Sequence, residues 1–187
     1  MKKLLLPLLL ILCLPLMGDE KEDKKLFEET KAKAEKGEAD AQYNLGVMYD
    51  KGEGVLEDDK EAVKWWRKAA EQGYAKAQNN LATVYDKGEG VLEDDKEAVK
   101  WWRKAAEQGE DLAQISLGIM YFNGEGVLED IATAYAWFNI AQANGNENGK
   151  GNKGILAKKM TPEQLAKAQE LSKEMIKKNP KLLQKKK

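Results

Sequence analysis

Residues 50 to 73, DKGEGVLEDDKEAVKWWRKAAEQG, recur without a change at residues 86 to 109. The offset is 36 residues, and a worn third copy follows at the same spacing, from Tyr121 to Gly145. A fixed period in this range marks a chain built by stacking one supersecondary unit, because a single unit cannot bury its apolar face alone. The units fall at 38–73, 74–109 and 110–145.

Inside each copy, helix signals alternate with turn signals. Ala41, Leu45, Met48 and Tyr49 recur at helical spacing, which predicts a short amphipathic helix A over 39–51. Gly52 supplies the left-handed backbone on which helices often end. Asp58 then caps helix B while Glu61 is placed to reach back, a capping box that Asp94 and Glu97 repeat. The third copy keeps Asp130 but has Thr133 at the return position, so its helix B is expected to start less firmly. Helix B carries Ala62, Trp65, Ala69 and Ala70 on one side, and Gly73 ends it. Trp65, Trp101 and Trp137 are 36 residues apart, as are Tyr49, Tyr85 and Tyr121. Such spacing places these rings in the core between units. The second ring of each pair, Trp66, Trp102 and Phe138, is expected partly on the convex side. The pattern is all-α.

The Ala-x-x-x-Leu-Gly-x-x-Tyr helix, the Gly-x-Gly-Val-x-x-Asp loop and the Ala-x-x-Trp-x-x-x-Ala-Ala-x-x-Gly helix resemble the Sel-one-like repeats, relatives of the tetratricopeptide repeat. Ala41, Leu45, Gly46, Tyr49, Gly52, Gly54, Val55, Asp58, Ala62, Trp65, Ala69, Ala70 and Gly73 carry the match. Residues 75–109 repeat it with Ala82 in place of Gly46, and the third copy has Ile140-Ala141 where the paired alanines stood. The resemblance implies a right-handed α-solenoid that serves as an adaptor or scaffold for a protein or peptide partner. Some secreted relatives carry a cysteine pair in each repeat and are linked to β-lactam binding. That pair is missing here, which leaves a β-lactam-related hydrolase as a minor alternative.

At the ends the repeat gives way. Met1-Lys2-Lys3 followed by apolar residues Leu4 to Met17 reads as a secretory leader, 1–18, so the protein is expected to be exported, periplasmic or secreted. Anchoring as a lipoprotein through Cys13 is the alternative. Residues 19–37 read as a lone helix B, with Phe27 and Ala34 as core and Gly37 as stop. Residues 146–160 hold Gly149, Gly151 and Gly154, and read as a degenerate helix or a hinge, since each interior glycine costs about 1 kcal/mol relative to alanine. Thr161-Pro162-Glu163-Gln164 starts a capping helix, 161–178, with Leu165, Ala168, Leu171 and Met175 along one face. A Lys-rich tail, 179–187, follows.

Charge divides the chain. Residues 19–149 hold 17 basic and 29 acidic residues, net −12, and residues 150–187 hold 12 lysines and three glutamates, net +9. The basic end has no arginine and no aromatic residue, which argues against nucleic acid as a partner. An alternative role for its lysines is to tether the protein to anionic lipid or wall polymer.

The chain has no histidine, the usual general base near neutral pH and the commonest metal ligand. Ser116 and Ser172 belong to no serine-triad pattern. No catalytic residue, metal ligand or cofactor is assigned. By the resemblance, helix A lines the concave surface, which places Asp40, Tyr43, Val47 and Asp50 there. Lys76, Asn79, Thr83 and Asp86 correspond in copy two, and Leu112, Ile115, Ile119 and Phe122 in copy three. That last, apolar stripe is either covered by the C-terminal helix folding back, through Leu165, Leu171 and Met175, or open as a groove for a partner.

Overall fold

One glycine and one aspartate set the two helix boundaries of each unit. Gly52, Gly88 and Gly124 end helix A with φ of 68°, 70° and 75°, a conformation that costs a side-chain-bearing residue more. Asp58, Asp94 and Asp130 cap helix B, each accepting from the backbone N–H groups two and three residues on. In the computed structural model, residues 17–183 are described. Most of the expected leader, residues 1–16 with Cys13 included, and the last four residues lie outside them.

Nine α-helices and one 3-10 turn, and no strand, occur among the described residues. They are α1 (Met17–Glu35), α2 (Ala39–Lys51), α3 (Asp59–Glu71), α4 (Ala75–Lys87), α5 (Asp95–Ala106), α6 (Asp111–Asn123), α7 (Ile131–Ala143), α8 (Glu147–Ala157) and α9 (Pro162–Lys178), with the turn at Pro180–Leu182. Within a unit α2 packs on α3, α4 on α5 and α6 on α7. Between units α1 packs on α2, α3 on α4 and α5 on α6. This is the all-α solenoid of helix pairs that the period requires.

The capping expectation is right at Asp58 and wrong at Glu61. The Glu61 carboxylate accepts from Lys64 Nζ at 2.7 Å and from Trp65 Nε1 at 3.2 Å. The Asp58 N–H, which a box would use, already donates to the Tyr49 carbonyl at 3.0 Å. The third copy therefore loses nothing through Thr133. Asp130 accepts from Ala132 N and Thr133 N, and the Thr133 hydroxyl adds a bond to its other oxygen at 2.7 Å. Among the described helices, only α9 has a reciprocal box, between Thr161 and Gln164.

Trp65, Trp101 and Trp137 are buried as expected, each 6% exposed. The second rings are buried too, Trp66 at 3%, Trp102 at 4% and Phe138 at 3%, which corrects their expected place on the convex side. They are turned inward, against helix A of their own unit. A Cβ built on Gly46 would lie 2.5 Å from the Trp66 ring, and one on Gly118 2.5 Å from Phe138. The helix-A glycine is therefore a seat for the second ring.

A polar ladder ties the units together at the other end of the helices. Gln42, Gln78 and Gln114 are buried on successive A helices and donate to the carbonyls of Ala34, Ala70 and Ala106. Each also accepts through its side-chain oxygen, from Gln72, Gln108 and Asn144 in turn. Buried amides of this kind are tolerated because every rung is bonded.

The glycine-rich segment forms a helix, α8, capped by Asn146. Gly149 has a packing reason, since a Cβ there would meet Gln142 N at 2.8 Å and Phe138 O at 2.9 Å. Helix α9 does not fold back on α6. It packs on α7, where lysine positions have become apolar. Lys68 and Lys104 lie 3.9 Å and 4.0 Å over the rings of Trp65 and Trp101. The matching residue in copy three is Ile140, fully buried. Asn139 replaces Arg103 and donates to the Ser172 hydroxyl on α9 at 2.9 Å. The start of the Lys-rich tail is also part of the fold. Leu182 is 2% exposed, its carbonyl accepts from Gln114 and Asn144 at 2.8 Å each, and Asn179 donates to the Glu107 carbonyl at 2.9 Å.

Candidate partner-binding surface

The helix-A residues singled out from the sequence do not form one uniform strip. Asp40, Lys76 and Leu112, at the start of their helices, are exposed. Tyr43 stacks at 5.2 Å on Tyr74, and Val47 is half-buried against the core. Asn79 is half-buried, with its carbonyl accepting from the Thr83 hydroxyl at 3.1 Å. Ile115 is not available to a partner. It is 8% exposed and packed in a cluster with Tyr135, Phe138, Leu156 and Ala168.

Four of the twelve are brought together. Thr83 and Asp86 on α4 face Ser116, Ile119 and Met120 on α6 across a hollow that Trp102 and Glu125 also line. Ile119 and Phe122 then face Asn152, Ile155 and Leu156 on α8 across a second hollow, with Phe138 between them. Ile119 borders both hollows, so the groove from α4 over α6 to α8 is two adjacent hollows with Ile119 between them. The second rings, Trp102 and Phe138, contribute to its walls from the helix-B side.

The apolar end of the groove is open. Ile119 is 40% exposed and Ile155 56%, because α9 packs on α7 and does not cover this face of α6. Neighbouring apolar side chains left in water are the usual mark of a contact surface. Ile155 and Leu156 were missed in the sequence because the glycines of α8 obscured its helical character. The spacing Leu156, Lys159, Met160 held no clearer pattern.

The α4 end is acidic. The Asp86 carboxyl is pushed up from its ordinary range by burial first, then by Asp95, Glu125 and Glu93, with Lys87 opposing. Asp50, one unit earlier, is pushed the same way by burial, then by Asp59 and Glu89. Repulsion comes first from the aspartate that follows the loop, Asp59 or Asp95, and then from glutamates of the GEGVLED loop, which stands unchanged at 52–58, 88–94 and 124–130. No three of the described acidic, histidine or cysteine side chains are grouped so as to hold a metal ion. The site offers carboxylates, hydroxyls and an apolar trough, with no nucleophile set against a base.

Comparison with known proteins agrees with the repeat architecture. The family model for the Sel1 repeat matches residues 39–74, 75–110 and 111–146, one residue later than the register drawn above. A search of curated proteins finds no match. Among solved structures, a protective antigen present in uropathogenic Escherichia coli strains, described as displaying an SLR fold, superposes with a TM-score of 0.64 at 36% identity. The superposition covers 84% of this chain and 42% of that one. A Sel1 repeat protein from Oxalobacter formigenes gives a TM-score of 0.64 at 35% identity, over 73% of this chain and 58% of that chain. This chain thus spans about half the length of the proteins it superposes on. Three matched units across more than half its residues, on helices paired as those units require, mean that the chain belongs to the Sel1 repeat family.

Proposed function

We propose that the protein is an exported, non-catalytic adaptor that holds a protein or peptide partner in the groove across α4, α6 and α8. The observation that supports this most is the uncovered apolar trough at Ile119, Phe122 and Ile155. It sits on the helix-A side of a fold whose family is one of interaction scaffolds. Export is supported by the basic and then apolar start of the chain, Lys2-Lys3 and Leu4 to Met17. No helix among the described residues is long and apolar enough to cross a membrane. The lysine-tail tether is the weaker reading, because Asn179 to Leu183, at the start of the tail, are held on the fold.

A photo-crosslinking residue placed at Ile119 and, as a control, at exposed Glu71 on helix B tests the groove. Capture of the same partner from Ile119 but not from Glu71, in envelope fractions, is the expected result. Equal capture from both positions rules the groove out. Fractionation of a tagged full chain tests export: recovery only with cytosolic markers would rule that out.

A further inference from the structure

The stretch of the groove between α4 and α6 carries two features that the rest lacks. The first is charge without compensation. Asp86 and Glu125 line the hollow, and neither forms an ion pair among the described residues. Asp86 faces Asp95, Glu93 and Glu125 with Lys87 as its one opposing cation, and Glu125 accepts only from Asn123 Nδ2, at 3.1 Å.

The second is a buried donor with nothing to bond. Trp102 lines the same hollow, is 4% exposed, and its indole N–H has no hydrogen-bond partner. The equivalent indole in copy one is satisfied, since Trp66 Nε1 donates to the Tyr43 carbonyl at 3.2 Å. Two substitutions bear on the difference. Thr83 replaces Val47, and its hydroxyl donates to the Asn79 carbonyl that corresponds to that of Tyr43. Ala82 replaces Gly46. Trp66 lies against Gly46, where a Cβ would stand 2.5 Å from Cδ1 and Nε1. Copy two has Ala82 there, whose methyl group excludes the ring from that seat. An unpaired buried N–H is costly and native proteins keep few of them.

We infer that this groove takes an extended peptide segment bearing a lysine or arginine next to apolar side chains, with the cation between Asp86 and Glu125 and the apolar residues over Ile119 and Ile155. A peptide carbonyl could satisfy the Trp102 N–H only if the ring turned, because the nitrogen itself is closed to solvent. An acidic segment is repelled by the same carboxylates, and a wholly apolar one would strip them of water without replacing it. The inference rests on the groove being the partner surface and adds the chemistry of the partner.

The test uses two fluorescein-labelled peptides, KRSGLLGILGSG and its counterpart with both cations changed to glutamate, titrated against the full chain by fluorescence anisotropy. The basic peptide is expected to bind at least about tenfold more tightly, with the margin shrinking as salt rises. The double variant Asp86→Asn with Glu125→Gln should erase about tenfold of that affinity while circular dichroism stays unchanged. Ile119→Glu should weaken both peptides. If the two peptides bind alike and the double variant behaves as wild type, the basic assignment is overturned, and loss on Ile119→Glu would show that the groove itself survives. If neither peptide binds, the assignment also fails, and equal crosslinking from Ile119 and Glu71 would remove the groove with it. Self-association of the wild-type chain that the double variant abolishes would place the lysine-rich end of a second copy there, overturning the partner peptide.

Discussion

Gly46 is the residue on which the inner packing of copy one turns. The Trp66 ring occupies the space a β-carbon would fill, and its N–H reaches the Tyr43 carbonyl only from there. Gly46→Ala, although it improves helix propensity, is expected to destabilise the protein by about 1–3 kcal/mol, through a displaced ring and a lost hydrogen bond. Urea denaturation measures it. Asp86 offers a second residue-scale prediction. Its folded pKa is raised above the ordinary 3.8. A raised carboxyl stabilises fully below its unfolded pKa, and that stability is lost as pH rises through the folded value. Asp86→Asn should therefore raise the urea midpoint at neutral pH, with the gain vanishing below about pH 3.8, the unfolded value. These effects are the part that sequence patterns hide. The position of Trp66 depends on what lies across from it, and a period of 36 residues cannot report the facing side chain.

At the scale of elements, the helices of the three units and their aspartate caps could be read directly, because periodicity and capping act within a few residues. The location of α9 could not be read from α9 itself. Its evidence was in α7, where Lys100 and Lys104 of copy two give way to Ala136 and Ile140, a change that leaves the helix without a charged side chain. Greasiness in α6 drew the expectation to the wrong helix. Helix α8 provides a test with opposite signs. Gly151 and Gly154 face open space, so alanine at either should stabilise by up to about 1 kcal/mol. Gly149→Ala should destabilise instead, since its new methyl would press on the backbone of α7. Thermal melts of the three variants settle the order. For the tail, Leu182→Ala should cost about 2–4 kcal/mol, the range for emptying a buried leucine site, whereas a frayed terminus would register no change.

For the molecule as a whole, stability should grow unit by unit, because each pair of helices touches little beyond its neighbours. Inserting a further copy of residues 74–109 after Gly109 is expected to give a folded, more stable chain, with a higher urea midpoint and a proportionally larger helical signal. Appending the same copy after Gly145 should fail, since it would have to displace α8 from its place against α7. The two insertions carry identical added sequence, so only position can separate their outcomes.

The isoleucine that takes the place of a lysine on α7 thereby gives the array a direction of growth. Terminal hardware is built into the third copy alone, and a replication event landing there would duplicate a stopper in the middle of the stack. An event farther upstream adds a neutral link, and the two identical stretches in this chain, 50–73 and 86–109, lie where such a link can be added without redesigning either end.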